Sequence, residues 1–91
     1  MKAVTAIVSG RVQGVWFRAW TKEQAGELGL SGWVRNRRDG TVEALLCGDT
    51  ASVDRMLVLL KEGPPLAKVV AVDCQVWAGD IPDDFAQIAT L

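Results

Sequence analysis

The sequence predicts an α+β domain in βαββαβ order: two helices on one face of an antiparallel sheet, with a short extra strand at the end. Three observations carry this. Short segments rich in valine, isoleucine and leucine alternate with period two. Two other segments repeat their apolar residues at spacings of three and four. Gly29, the Asp39-Gly40 pair and Gly63-Pro64-Pro65 punctuate them where elements must end. Ninety-one residues make one domain, residues 1–91.

Ala3 to Ser9 reads as the first strand, with Val4, Ala6 and Val8 on one face and Ile7 on the other. Phe17 to Leu28 reads as the first helix, burying Phe17, Thr21, Ala25 and Leu28, with Gly29 as its C-cap. Leu30 to Arg35 is the second strand, placing Leu30, Gly32 and Val34 opposite Trp33. Asn36 to Gly40 is a polar hairpin turn. Thr41 to Cys47 is the third strand, with Val42, Ala44 and Leu46 on one face. Asp49 or Thr50 caps a second helix from Ala51 to Lys61, which buries Val53, Leu57 and Leu60. Gly63-Pro64-Pro65 stops it. Lys68 to Val76 is the fourth strand, Gly79 to Asp84 an acidic loop, and Phe85 to Ala89 a short final strand. This is the ferredoxin-like order.

Composition excludes several functions. About half the residues are hydrophobic, as a folded core requires. No apolar run approaches the ~20 residues of a bilayer span, so no membrane partner is expected. Met1 to Thr5 alternates and leads into a strand, which predicts no signal peptide and a cytoplasmic location. There is no histidine, and Cys47 and Cys74 lack metal-ligand spacing. Neither a metal nor a cofactor is expected, and both cysteines read as buried thiols rather than a disulfide. The net charge of −1 argues against nucleic acid as a partner. Its distribution is uneven. Residues 1–38 carry seven basic and two acidic side chains, and residues 39–91 carry three basic and nine acidic. Arg11, Arg18, Arg35, Arg37 and Arg38 cluster in two short segments, which suits a small anion if the fold joins them. Length and charge predict a monomer.

The stretch from Ser9 to Arg18 joins the first strand to the first helix. Gly10 and Gly14 allow a sharp turn and a close approach of backbone to a ligand. The N–H groups of Arg11, Val12, Gln13, Gly14, Val15, Trp16 and Phe17, ending at a helix start, form a concave cradle for an anion. Arg18 falls in the first helical turn, where its guanidinium can close over a phosphate. The plain alternative is a tight turn with a solvated arginine. The loop is not a P-loop, because the Gly-Lys-Ser/Thr ending is absent.

Topology adds one residue. A strand-helix-strand crossover makes the first two strands run in the same direction, so their C-terminal ends share one end of the sheet. Asn36 follows the second strand and so faces the loop and Arg18. Its neutral amide can orient a water for in-line attack on phosphorus. Neither segment holds an obvious general base. Such a site suits a substrate whose leaving group needs no proton, and an acyl phosphate meets that condition, because a carboxylate leaves as a stable anion.

Gly10-Arg-Val-Gln-Gly-Val-Trp-Phe-Arg18 resembles the signature loop of the acylphosphatases. Gly32-Trp-Val-Arg-Asn-Arg-Arg-Asp-Gly-Thr-Val-Glu43 resembles their second signature, and the Gly63-Pro64-Pro65 turn and the Phe85-Ala-Gln87 ending are similar to bacterial members. The resemblance implies a ferredoxin-like fold and metal-free hydrolysis of carboxyl-phosphate anhydrides to carboxylate and inorganic phosphate. It matches Arg18 to the phosphate-binding arginine, Asn36 to the water-positioning asparagine, and the backbone from Arg11 to Phe17 to the phosphate cradle. Trp16 is bulkier than the residue often found there in the family. It narrows the pocket, walls its acyl side, or packs on the surface, and the sequence leaves all three open.

Two other readings compete. One is a non-catalytic phosphate- or carbamoyl-phosphate-binding module on the same fold. The other is an RNA-binding module, which shares the βαββαβ order but needs aromatic residues on the central strands. Strands one and three have none.

Overall fold

The computed structural model describes residues 1–91. Its elements are β1 (Lys2–Arg11), α1 (Phe17–Glu27), β2 (Ser31–Asn36), β3 (Val42–Gly48), α2 (Thr50–Glu62), β4 (Lys68–Val76) and β5 (Phe85–Gln87). The strands lie in the order β4-β1-β3-β2-β5. β1 and β2 are both antiparallel to β3 between them, so they point the same way. β4 closes one edge, antiparallel to β1. The fold is the expected ferredoxin-like α+β arrangement with one difference. β5 pairs parallel with β2, which makes the sheet mixed rather than antiparallel. The crossover from β4 carries the chain across the sheet to its far edge, so β5 enters alongside β2.

The helix-facing side of the sheet is built by the predicted alternation. Val4, Ala6 and Val8 of β1, Val34 of β2, and Val42, Ala44 and Leu46 of β3 are all buried in one cluster. Phe17 and Ala25 of α1 and Val53, Met56 and Leu60 of α2 pack onto it. Met56 takes the buried position on α2 in place of the expected Leu57, which is half-buried against the same cluster. Both lie on the helix's apolar stripe, and methionine's flexible thioether fills the deeper site. Gly29 adopts φ 70 beyond α1, and Leu30 N–H returns to the Ala25 carbonyl at 2.9 Å, closing the helix as expected. Asp49 takes the N-cap position of α2, but its side chain makes no cap bond.

The opposite side of the sheet is not bare. Leu45 and Cys47 of β3 are fully buried there, beneath a cover the alternation does not predict. Trp33 and Trp77 meet edge to face with ring centroids 6.2 Å apart. The Trp77 indole N–H donates to the Asp80 carbonyl at 2.9 Å, pinning the acidic segment down. Arg35 stacks over Trp33 at 4.7 Å and binds Glu43 at 2.7 Å.

β1 ends in an irregularity that serves the site. Its register against β4 shifts between Ser9 and Gly10. Gly10 has φ 118, and a Cβ there would collide with the Lys68 carbonyl oxygen. Only glycine lets the strand twist at this point and turn towards α1.

Candidate active site

The ends of β1 and β2 stand at the same end of the sheet, since Val8 and Asn36 both pair with Val42 of the strand between them. The β1–α1 connection and Asn36 enclose a cleft of about 130 Å³. Arg18 and Asn36 line it together, with Val12, Gly14, Trp16 and Phe17 from the connection. Ala19 and Gln87 complete the wall.

The connection bends through two left-handed residues. Gly14 (φ 72) and Trp16 (φ 67) both sit in the left-handed region, with Val15 between them buried in the core. Gly14 has open space on its Cβ side, so its role is conformational. The α1 ladder begins with Trp20 N–H to the Trp16 carbonyl at 3.1 Å. The N–H groups of Phe17, Arg18 and Ala19 therefore have no acceptor within the helix. No side chain caps α1, and its first turn holds no acidic residue. The positive end of the helix is thus left open at the cleft.

Arg18 is half-buried, and neither ion pair of the structure uses it: these are Lys2–Asp54 and Arg35–Glu43. The Asn36 side chain makes no hydrogen bond within the protein, so its amide remains available at the cleft. The backbone of Asn36 is fixed on both sides: it is paired to Val42, and its carbonyl accepts from Leu91 N–H at 3.1 Å.

The other predicted loop residues divide by task. Val12 and Val15 bury their side chains in the core and anchor the connection from below. Gln13 turns away from the cleft and donates to the carbonyls of Arg37 at 2.7 Å and Thr41 at 2.9 Å. Arg11 is exposed at the last position of β1, paired with Lys68, and does not line the cleft. Arg37 and Arg38 also lie outside the lining and form no ion pair. Asp39 beyond them accepts from the Thr41 hydroxyl at 2.6 Å and the Thr41 N–H at 3.0 Å, which holds its carboxyl below the usual value. Sequence reasoning missed two wall residues, Ala19 and Gln87. Ala19 follows from one more step along the helix. Gln87 was visible only as part of the Phe85-Ala-Gln87 ending, and the parallel pairing of β5 with β2 brings it to the cleft.

The family model described as Acylphosphatase matches residues 4–87. An acylphosphatase of Methylococcus capsulatus is 48% identical over 91 residues, covering 100% of this chain and 97% of its own. One from Rhizorhabdus wittichii is 49% identical over 84 residues, covering 92% of this chain and 85% of its own. Among solved structures, an acylphosphatase from Coxiella burnetii superposes with a TM-score of 0.91 at 38% identity, covering 96% of this chain and 92% of its own. Sequence match and backbone agreement extend across both strands that frame the cleft, and the chain belongs to the acylphosphatase family.

Proposed function

We propose that the protein hydrolyses acyl phosphates to a carboxylate and inorganic phosphate, with Arg18 and Asn36 as its catalytic side chains. The observation that carries this reading is their meeting in one cleft beside an uncapped helix N-terminus. The phosphoryl oxygens lie against the backbone N–H groups between Arg11 and Phe17. Arg18 clamps them and offsets the charge that builds in the transition state. Asn36 holds a water in line with the scissile bond. The water oxygen bonds to phosphorus as the bond from phosphorus to the acyl oxygen breaks. The electron pair departs with the carboxylate, and both protons of the water stay on the phosphate. No group on the protein has to gain or lose a proton, which fits a cleft lined by no carboxylate, histidine or lysine.

The substrate is a free small molecule. The reading includes a monomer in the cytoplasm that uses neither metal nor nucleic acid. Length and charge carry the first of these, and the two free thiols fit a reducing compartment. No helix is long and apolar enough to cross a membrane. The test is phosphate release from benzoyl phosphate with a chelator present, in the wild type and in Asn36→Ala. Release by the wild type and its loss in the variant, with the variant still binding inorganic phosphate, is the expected result. Binding without turnover in the wild type points instead to a phosphate-binding module.

A further inference from the structure

On the hydrolase reading, the phosphoryl group and the attacking water take the polar part of the cleft, between the loop N–H groups, Arg18 and Asn36, so the acyl substituent extends along the rest of its wall. Of the large apolar side chains in the wall, Phe17 is 2% exposed and turned into the core, whereas Trp16 is 64% exposed.

Two further observations set Trp16 apart. It is the one residue other than glycine with positive φ, at φ 67 and ψ 21. An aromatic residue there sits in a sparsely populated region, and such strain collects at functional sites. Its indole also has no partner in the protein. The aromatic pairs are Phe17–Trp20 and Trp33–Trp77, and no side-chain hydrogen bond involves Trp16. The ring lines the cleft on a left-handed backbone, mostly exposed and without an aromatic or hydrogen-bonding partner in the protein.

We propose that the Trp16 indole is the acyl-side specificity element of this cleft, favouring substrates with planar aromatic acyl groups over those with small ones. An aromatic acyl group leaving the phosphoryl cradle meets the ring and stacks on it, while an acetyl group is too short to cover it. This rests on the hydrolase reading above.

The experiment measures kcat/KM for benzoyl phosphate and for acetyl phosphate in the wild type, Trp16→Phe, Trp16→Asn and Trp16→Gly. Asparagine and glycine both accept the left-handed backbone and lack the ring. The ratio of the two substrates within one protein cancels any general damage to the cradle. The ratio is expected to fall roughly three- to tenfold in Trp16→Asn and Trp16→Gly, and to be largely kept in Trp16→Phe. An unchanged ratio in a ringless variant that turns over both substrates overturns the role of Trp16 and leaves the hydrolase standing. Hydrolysis of neither substrate by the wild type overturns the hydrolase reading and this inference with it.

Discussion

The Gln13 side chain donates to the Arg37 carbonyl at 2.7 Å, across the gap between the β1–α1 connection and the β2–β3 hairpin. Its second amide hydrogen goes to the Thr41 carbonyl at 2.9 Å, on the other arm of the same hairpin. Arg37 follows Asn36 directly. One side chain thus ties the loop proposed to hold phosphate to the strand end proposed to hold water. Gln13→Ala removes both bonds, each worth about 1 kcal/mol net. The variant is expected to lose about 1–3 kcal/mol in urea unfolding and to raise KM, because the cradle is no longer held in register. Gln13→Glu should be worse, since a carboxylate would face two carbonyl oxygens. A Gln13→Ala protein with wild-type stability and KM would remove the strap from the account.

The free guanidinium of Arg18 gives the next prediction. A clamp that grips two phosphoryl oxygens depends on the planar fork as well as on charge. Arg18→Lys keeps the charge and loses the fork, so lysine should rescue little of what alanine destroys. Both variants are expected to fall about 10²- to 10³-fold in kcat, the scale of losing one preorganised donor. Phosphate inhibition should weaken with them. Unfolding should move within about 0.5 kcal/mol, because Arg18 pairs with nothing in the protein. Near-complete rescue by lysine would mean that charge alone matters at this position.

Much of this arrangement is legible in the sequence. Alternation in Val4-Thr5-Ala6-Ile7-Val8 fixes which face of β1 is buried, because side chains on a strand alternate whatever the neighbours do. The crossover rule is enough to bring Arg18 and Asn36 together, since it depends on chain handedness and not on packing. What escaped depends on distant contacts. β5 is three residues long, too short for a period to declare its direction, and its pairing with β2 follows from where the crossover lands. Leu45 lies on the face opposite the helices, and the segment after β4 that carries Trp77 reads as an acidic loop, so alternation alone gives no cover for that face. The segment's anchor is one indole against Trp33, a contact no local pattern encodes.

The cleft lining also predicts the pH profile. It holds no carboxylate, histidine, cysteine, tyrosine or lysine to act as a general base. The rate should therefore follow only the substrate's own ionisation, with no protein-derived limb between about pH 5 and pH 9. A bell-shaped profile that moved in a carboxyl or thiol variant would reveal a general base. Stability behaves differently at the acid end. Asp39 is held below its ordinary 3.8 by the Thr41 hydroxyl and then the Thr41 N–H. A depressed carboxyl stabilises the fold above its unfolded value, and that contribution is lost as pH falls through the folded one. Asp39→Asn should flatten the stability curve below about pH 4 without altering the rate profile at neutral pH.

Both cysteines are free thiols as expected, but only Cys47 on β3 is buried; Cys74, expected to be buried too, is exposed because it lies on the edge strand β4. Burial pushes the Cys47 thiol above 9.0 against a smaller opposing pull from Ser31. Only thiolate attacks a disulfide reagent, so burial and the raised thiol both hold Cys47 back, while Cys74 lies exposed. With an aromatic disulfide at pH 8, one thiol per chain should react at once. The second should wait for opening of the sheet and speed up with denaturant. Cys74→Ser should abolish the fast phase and leave the slow one. The raised thiol also has a sign in stability. Below the unfolded value both states keep the proton and nothing changes; as pH rises past it, the unfolded chain ionises first and the fold loses ground. Cys47→Ser should remove that alkaline slope, at a cost in packing near neutral pH. If both thiols of the wild type react in a single fast phase, the cover formed by Trp33 and Trp77 does not close over Cys47.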